Sequence, residues 1–484
     1  MPLRRWSRAG RRPPGCGRAR GSLGDRRRRE RRRGVHGGLC KGGAPGDGDS
    51  ALCVCARAGR GSRGLGGGAV TPRRVALTGR GVVSPLGVGI AAHWDALCAG
   101  RSGVARLGRL AALGFPATHG GTVAPSLVEP HLGRLPRKQQ KLYNRATLFA
   151  MLGAALAVED AGLPRGASDP TRFGVVLGVS PLAWDLEAMT AYLVASESRQ
   201  APGTLDMVTA NGFCMHNINP LDFSLKTLPN LAAGHVAIAH DAQGLCRAIA
   251  EGPIGGARAV GDAYRLIGDG DLDVALCGGA DAQLEELFFA TYYGAGLVAS
   301  DDGRHAGLMA GEGSGLLVLE EAERARARGA RVHGEIVGFA SCAGEGRLAS
   351  EEEPARLARR LSRVIERAID EAGDAPDIVG LHGDGIPAHD EAEAWALARV
   401  LGGRAERTPR LRMKRAHADL GAAASPVELL ACSAALDHAT LPPLVSENAP
   451  ASASQSRRAL VISLGLFGEC AALMLGNAGG DDAR

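Results

Sequence analysis

From about residue 72 the chain alternates two hydrophobic periods. Residues 143–161 place Leu148, Met151, Leu152, Ala155 and Leu156 at helical spacing, and Gly162 with Pro164 stops the run. Short apolar runs at Arg74–Leu77, Phe173–Leu177, Asp273–Cys277, Leu316–Leu319, Glu335–Ala340 and Asp377–Leu381 read as strands. Helices are predicted over 90–99, 256–267, 354–372 and 421–436, and Leu460–Ser463 with Ala471–Leu475 reads as a closing hairpin. Strands and helices alternate throughout, and similar units before and after residue 327 predict an α/β protein of two related halves. The helix at 256–263 is built of Gly and Ala, which suits burial in a closely packed layer.

Residues 1–69 lack any such periodicity. They hold 17 Arg and one Lys against four acidic residues, a net +14, while the rest carries 39 basic and 47 acidic residues, a net −8. The whole-chain charge of +6 therefore belongs to the N-terminal segment, and a nucleic-acid-binding body loses its electrostatic basis. Aromatics at 4% also argue against a stacking surface for single strands. The segment's like-charge blocks, Arg26–Arg29 and Arg31–Arg33, predict disorder. It lacks the apolar core of a secretory signal, and its Pro and Gly spoil the amphipathic helix of a transit peptide. Its composition resembles that of translated GC-rich upstream sequence, and a start is expected near Val70. The expected divisions are 1–69, then 72–326 and 327–478 as the two halves.

With 45% apolar residues, the body can build a sizeable core. It has no run of 18 apolar residues, so no membrane span is expected. Its cysteines, Cys98, Cys214, Cys246, Cys277, Cys342, Cys432 and Cys470, are irregularly spaced, as expected of reduced thiols in a cytoplasmic protein. Cys40, Cys53 and Cys55 with His36 fit no common zinc template, so no metal is expected. Gly79-x-Gly81 lacks the third glycine of a dinucleotide fingerprint and is followed by Pro85.

Seven short motifs stand in one order: Val75-Ala-Leu-Thr-Gly-Arg-Gly-Val-Val-Ser-Pro-Leu-Gly87, Asp222-Phe with Leu228-Pro-Asn230, Cys277-Gly-Gly-Ala-Asp281, Ala310-Gly-Glu-Gly-Ser-Gly315, His382-Gly-x-Gly-x-Pro, His417-x-x-Leu-Gly-Ala-Ala423 and Ser463-Leu-Gly-Leu-Phe-Gly468. In this series the chain resembles the β-ketoacyl-acyl-carrier-protein synthases from about Arg73 to Gly476. The resemblance implies a thiolase-like fold, two α/β halves in a five-layer arrangement. It implies acyl transfer by a cysteine at the head of a buried helix, two histidines that promote malonyl decarboxylation, a lysine beside the second, and backbone N–H groups forming an oxyanion hole.

Aligned on that resemblance, the nucleophile position is Pro253. Proline has neither a thiol nor an N–H, so covalent transfer and one oxyanion donor are both lost. The lysine position reads Arg412, with Lys414 near it; the first histidine loop carries Asp384 and Ile386 in place of threonines. The gating phenylalanine reads Leu466, Phe467 replaces a glycine, and Glu469-Cys470 replace Thr-Asn, while His382, His417 and Glu312 remain. Cys246, seven residues upstream of Pro253, is expected on another surface, Cys214 beside His216 is expected to fill space, and His235 and His240 are expected to be structural.

A ketosynthase framework without its nucleophile is similar to chain-length-factor subunits, which pair with an active ketosynthase. The implied partners are a catalytic ketosynthase subunit and an acyl carrier protein, which brings its own phosphopantetheine, so no resident cofactor is expected. Dimerisation is expected through Phe173–Leu177, and Met207–Phe223, with Phe213, Cys214 and Met215, is expected to shape the acyl tunnel. Two other classes remain open: a residual malonyl decarboxylase or unusual 3-oxoacyl-carrier synthase, and a stand-alone acyl-binding scaffold.

Overall fold

The structure, a computed structural model, describes residues 72–180, 186–217, 226, 228–448 and 456–478. The expectations for residues 1–69 and for 218–225 lie outside the described residues. A 12-stranded mixed sheet runs through the body. In the first half Val75–Ser84 is followed across the sheet by Glu312–Glu321, Val274–Ala282, Phe173–Val179 and Cys246–Ile249. In the second half Gly334–Cys342 is followed by Cys470–Gly476, Arg458–Leu464, Ile378–Gly380 and Arg410–Leu411. Numbered within its own half, each set lies in the order first, fifth, fourth, second, third. The senses also match: antiparallel, antiparallel, parallel, parallel. The two first strands pair with each other at Val75–Leu77 and Gly334–Ile336, so the duplication is joined through its own beginnings.

Alternation along the strands builds the layers. Ala275 and Cys277 face one core, and Val274 and Leu276 the opposite one. Ala459 and Val461 share the first of these cores, while Leu460, Ile462 and Leu464 face away. The shared core encloses the helices Gly255–Gly268 and Ala424–His438 between the halves. Arg145–Asp160 and Asn230–His240 cover the outer face of the first half, and Pro354–Ala372 covers that of the second together with Pro387–Leu401. Helix, sheet, helix, sheet, helix is the five-layer thiolase-like arrangement.

The first strand runs well beyond the apolar run Arg74–Leu77. Val75–Ser84 continues through Gly79 and Gly81 because both glycines lie under the helix Arg145–Asp160. A Cβ on Gly81 would overlap the carbonyl oxygen of Gly153, and one on Gly79 that of Ala157. Gly81→Ala is therefore expected to cost about 1–3 kcal/mol, read as a lower denaturation midpoint with unchanged slope. The helix expected at 421–436 splits into a short 3₁₀ turn, Gly421–Ala423, and the α-helix Ala424–His438. Phe173–Val179 is paired on both sides, by Cys246–Ile249 and by Val274–Ala282, so it cannot add a partner strand. The edge of the first half among the described residues is Cys246–Ile249.

Candidate functional site

Pro253 sits in a single 3₁₀ turn, Gly252–Ile254, that runs directly into the central helix Gly255–Gly268. Gly252 has φ +62°, a left-handed conformation that suits glycine. Gly256 has no room for a Cβ against the carbonyl of Ala422, so the head of one central helix is pressed on the turn that opens the other. Pro253 is buried and lines a cavity of about 540 Å³ with Leu466, Phe467, Glu469, Asp281 and Phe288. The expected neighbours Pro253 and Leu466 are thus brought together. His382 and His417 do not line this cavity.

Four carboxyls, of Glu251, Asp281, Glu285 and Glu469, stand among the cavity's polar groups. Asp281 accepts from Gln283 Nε2 at 2.9 Å, from the N–H of Ala282 at 2.8 Å and from that of Ala422 at 3.1 Å, and it also bonds Ser180. Burial pushes its carboxyl up against these bonds. In the C-terminal turn the N–H of Phe467 donates to the Glu469 carboxylate at 3.0 Å. A carboxylate held in that turn opposes the charge an oxyanion would develop there.

Behind the cavity lies a buried ionic cluster. His382 Nε2 is 3.2 Å from Asp384 Oδ2, and His389 Nδ1 is 2.8 Å from the same oxygen. Desolvation alone would raise the Asp384 carboxyl, but the two imidazoles hold it well below the usual range. The Lys414 ammonium donates to the backbone oxygen of His382 at 2.6 Å and to Glu428 Oε1 at 2.8 Å. Burial acts to strip its proton, yet the charge of Glu428, with Asp419 adding to it, pushes the ammonium up to about 12. His382, Asp384 and His389 offer three ligand-type atoms within 4.8 Å of one another. The ammonium 3.5 Å from His382 Nδ1 opposes a further cation at that spot.

His417 does not join this cluster. Its Nδ1 bonds the carbonyl oxygen of Ala418 at 2.7 Å, and its ring lies 5.9 Å from that of His93. Ala418 has φ +66°, and this reversal turns the chain between His417 and Asp419. Asp419 is the group whose charge acts on Lys414 and on Tyr292 in the cavity wall, and the charge of His382 acts on it in turn. Burial pushes the Asp419 carboxyl up, and its Oδ2 has no partner among the described residues. Arg412 lies half-buried at the rim, paired with Asp390 at 2.9 Å and Glu447 at 3.4 Å. Lys414, not Arg412, is the cation that reaches His382. Glu312 is buried away from the cavity, where it accepts from Thr122 Oγ1 and the N–H of Val123, both at 2.9 Å, and pairs with Arg145.

The remaining sequence candidates lie apart. Cys246 opens onto the sheet edge, and desolvation raises its thiol. Cys214 and Phe213 lie on the surface helix Met207–Asn217, where Phe213 packs edge-on to Tyr192 at 6.1 Å. His235 packs on Tyr143 at 5.0 Å, and burial brings His240 down to about 4. Sequence reasoning missed Lys414 as the reaching cation, and it missed Asp419 and His389 altogether. The signal for Lys414 was Glu428, an acid in the middle of the apolar, buried stretch of the helix Ala424–His438.

Burial brings His417 down to about 3 and His93 to about 4. Their neutral forms are the folded forms, so this stability is whole above 6.5 and is lost as pH falls toward 3. His417→Gln is expected to recover about 2 kcal/mol of the stability lost between pH 7 and pH 5. Urea unfolding at both values measures it; an unchanged pH slope would show that His417 does not carry the effect.

The β-ketoacyl synthase N-terminal domain matches residues 72–325, and the β-ketoacyl synthase C-terminal domain matches residues 333–447. The chain is 32% identical over 401 residues to a putative polyketide β-ketoacyl synthase 1 of Streptomyces halstedii, covering 78% of this chain and 89% of that one. It is 28% identical over 394 residues to a 3-oxoacyl-[acyl-carrier-protein] synthase 2 of Synechocystis, with 78% and 89% covered. The ishigamide ketosynthase/chain length factor structure aligns with TM-score 0.69 and 26% identity, over 84% of this chain and all of that one. No helix among the described residues is long and apolar enough to cross a membrane.

Proposed function

This chain belongs to the β-ketoacyl synthase family, and we propose that within it the chain is a non-catalytic, chain-length-factor-type partner of a cysteine-bearing ketosynthase in polyketide or fatty acid biosynthesis. The observation that carries the reading is Pro253 at the head of the central helix, inside the cavity where a nucleophile would stand. Three further features support it. Glu469 puts a carboxylate in the turn that would hold an oxyanion. Asp384 occupies His382 Nε2. Asp419 adds a further buried carboxyl, whose charge acts on Lys414, while the charge of His382 acts on it.

The partner role draws on the surface. Cys246–Ile249 offers an open sheet edge, and the helix Met207–Asn217 exposes Met207, Val208 and Met215. Strand pairing with apolar burial at such a face forms a dimer interface without using the cavity's chemistry. The acyl carrier protein supplies its own phosphopantetheine arm, so the chain takes no cofactor. A cytoplasmic setting suits its free thiols.

Co-expression with a candidate ketosynthase tests the reading. A 1:1 heterodimer is expected, with turnover resting on the partner's cysteine and product length altered by changes of bulk at Phe213. If this chain runs only as a homodimer and the partner makes the same product unaided, the reading fails.

A further inference from the structure

Away from the cavity wall, two cysteines face each other in the second half. Gly334–Cys342 and Cys470–Gly476 run antiparallel, with Cys342 directly opposite Cys470. Opposed residues in an antiparallel pair have Cα atoms roughly 4.5 or 5.5 Å apart, and a disulfide spans about 4.4–6.8 Å. Both side chains leave the same face of the sheet, into the core under the helix Pro354–Ala372. The Cys470 thiol donates to the carbonyl oxygen of Gly468 at 3.6 Å. Both thiols are free.

We propose that Cys342 and Cys470 form a reversible disulfide when the protein meets hydrogen peroxide. Cys342 reacts first. It is 9% exposed where Cys470 is fully enclosed, and Arg258 donates to its carbonyl oxygen at 3.0 Å. The Cys470 thiol beside it holds the Cys342 thiol below its ordinary value; burial opposes this, and the charges of Arg360 and Arg258 add to it. The Cys342 thiolate attacks one peroxide oxygen, the O–O bond breaks, and the other oxygen leaves as water after taking a proton. The sulfur of Cys470 then displaces the hydroxyl of the Cys342 sulfenic acid, which departs with the Cys470 proton as a second water. Two thiols are oxidised and one hydrogen peroxide is reduced.

The bond would close the base of two loops that meet at the cavity. The N–H of Ala349 donates to the carbonyl of Leu466 at 2.7 Å, and that of Gly346 to Phe467 at 3.3 Å. Leu466, Phe467 and Glu469, on the second loop, line the cavity. Oxidation at Cys342–Cys470 therefore fastens the cavity wall whatever occupies the cavity.

The test treats the full chain with hydrogen peroxide. A mass decrease of about 2 Da, a Cys342–Cys470 cross-linked peptide under non-reducing conditions and reversal by dithiothreitol are expected. Amide exchange at Gly346 and Ala349 is expected to slow at least about tenfold in the oxidised form. In Cys470→Ser the sulfenic acid at Cys342 should persist and react with dimedone. Sulfinic acid at Cys342 without a cross-link, a cross-link to another cysteine, or no reaction overturns the proposal. A disulfide that leaves exchange unchanged overturns the loop fastening. The mapping on the unmodified sequence decides even if the variant does not fold.

Discussion

Supplied with acyl-carrier thioesters, the purified chain is expected to show no covalent acyl adduct by intact-mass spectrometry. Pro253 removes the nucleophile outright, and its missing N–H removes a donor of a kind worth about 2.7–4 kcal/mol in a transition state. Pro253→Cys alone is expected to acylate slowly at best and to remain at least ~100-fold below an intact ketosynthase in condensation. The reasons lie around it: Asp384 holds His382 Nε2, Asp419 is a carboxylate beside Lys414, and Glu469 occupies the turn. Adding Asp384→Thr to Pro253→Cys frees the imidazole and should raise the rate. A stable adduct on the unaltered chain would sink the non-catalytic reading, and Cys246→Ala would then show whether that thiol carries it.

Lys414→Ala is expected to be the most destabilising single change in the ionic cluster. It would leave Glu428, which is fully enclosed, facing no cation, at a cost of about 3–5 kcal/mol. Lys414→Met with Glu428→Leu removes both charges together and should recover most of that loss. Arg412→Ala, whose pairs with Asp390 and Glu447 lie at the half-exposed rim, should cost about 0–1 kcal/mol. Thermal and urea unfolding of the three variants compare them. If Arg412→Ala is the costlier change, Lys414 is not the cation that holds this cluster.

The two halves and their layers were legible because they rest on patterns that repeat: period-two strands, small-residue helices and glycines in order. Pro253 was legible by counting back without a gap from Ala259-Val-Gly-Asp-Ala263, a stretch inside the central helix that Pro253 precedes. The ionic cluster was not, because matching by residue type fixed the count on His417. The left-handed Ala418 separates that imidazole, whose ring lies near His93, from Asp419, whose charge acts on Lys414. A register set instead by charge would have begun from Glu428, which needs a buried cation, and Lys414 is the nearest candidate. Asp384 was read only as a lost threonine. Its partner His389 stands five residues on, beyond the break at Pro387, where sequence spacing gives no sign of contact.

The strand Val75–Ser84 leaves the ribosome first among the described strands, yet it lies in the middle of the sheet. Its neighbours on either side, Glu312–Glu321 and Gly334–Cys342, are about 230 residues or more further along the chain. Beyond Val83 and Ser84, which pair at once with Gly87–Val88, its buried N–H and C=O groups therefore wait for most of translation before they find partner strands, which at about 5–20 residues per second is tens of seconds. The helix Arg145–Asp160, which presses on Gly79 and Gly81, is made much sooner and covers one face of the waiting strand. The long-range pairing makes folding slow and leaves an apolar edge open to other chains meanwhile. Recombinant yield should therefore respond to lower temperature and to chaperones more than to any change at the cavity.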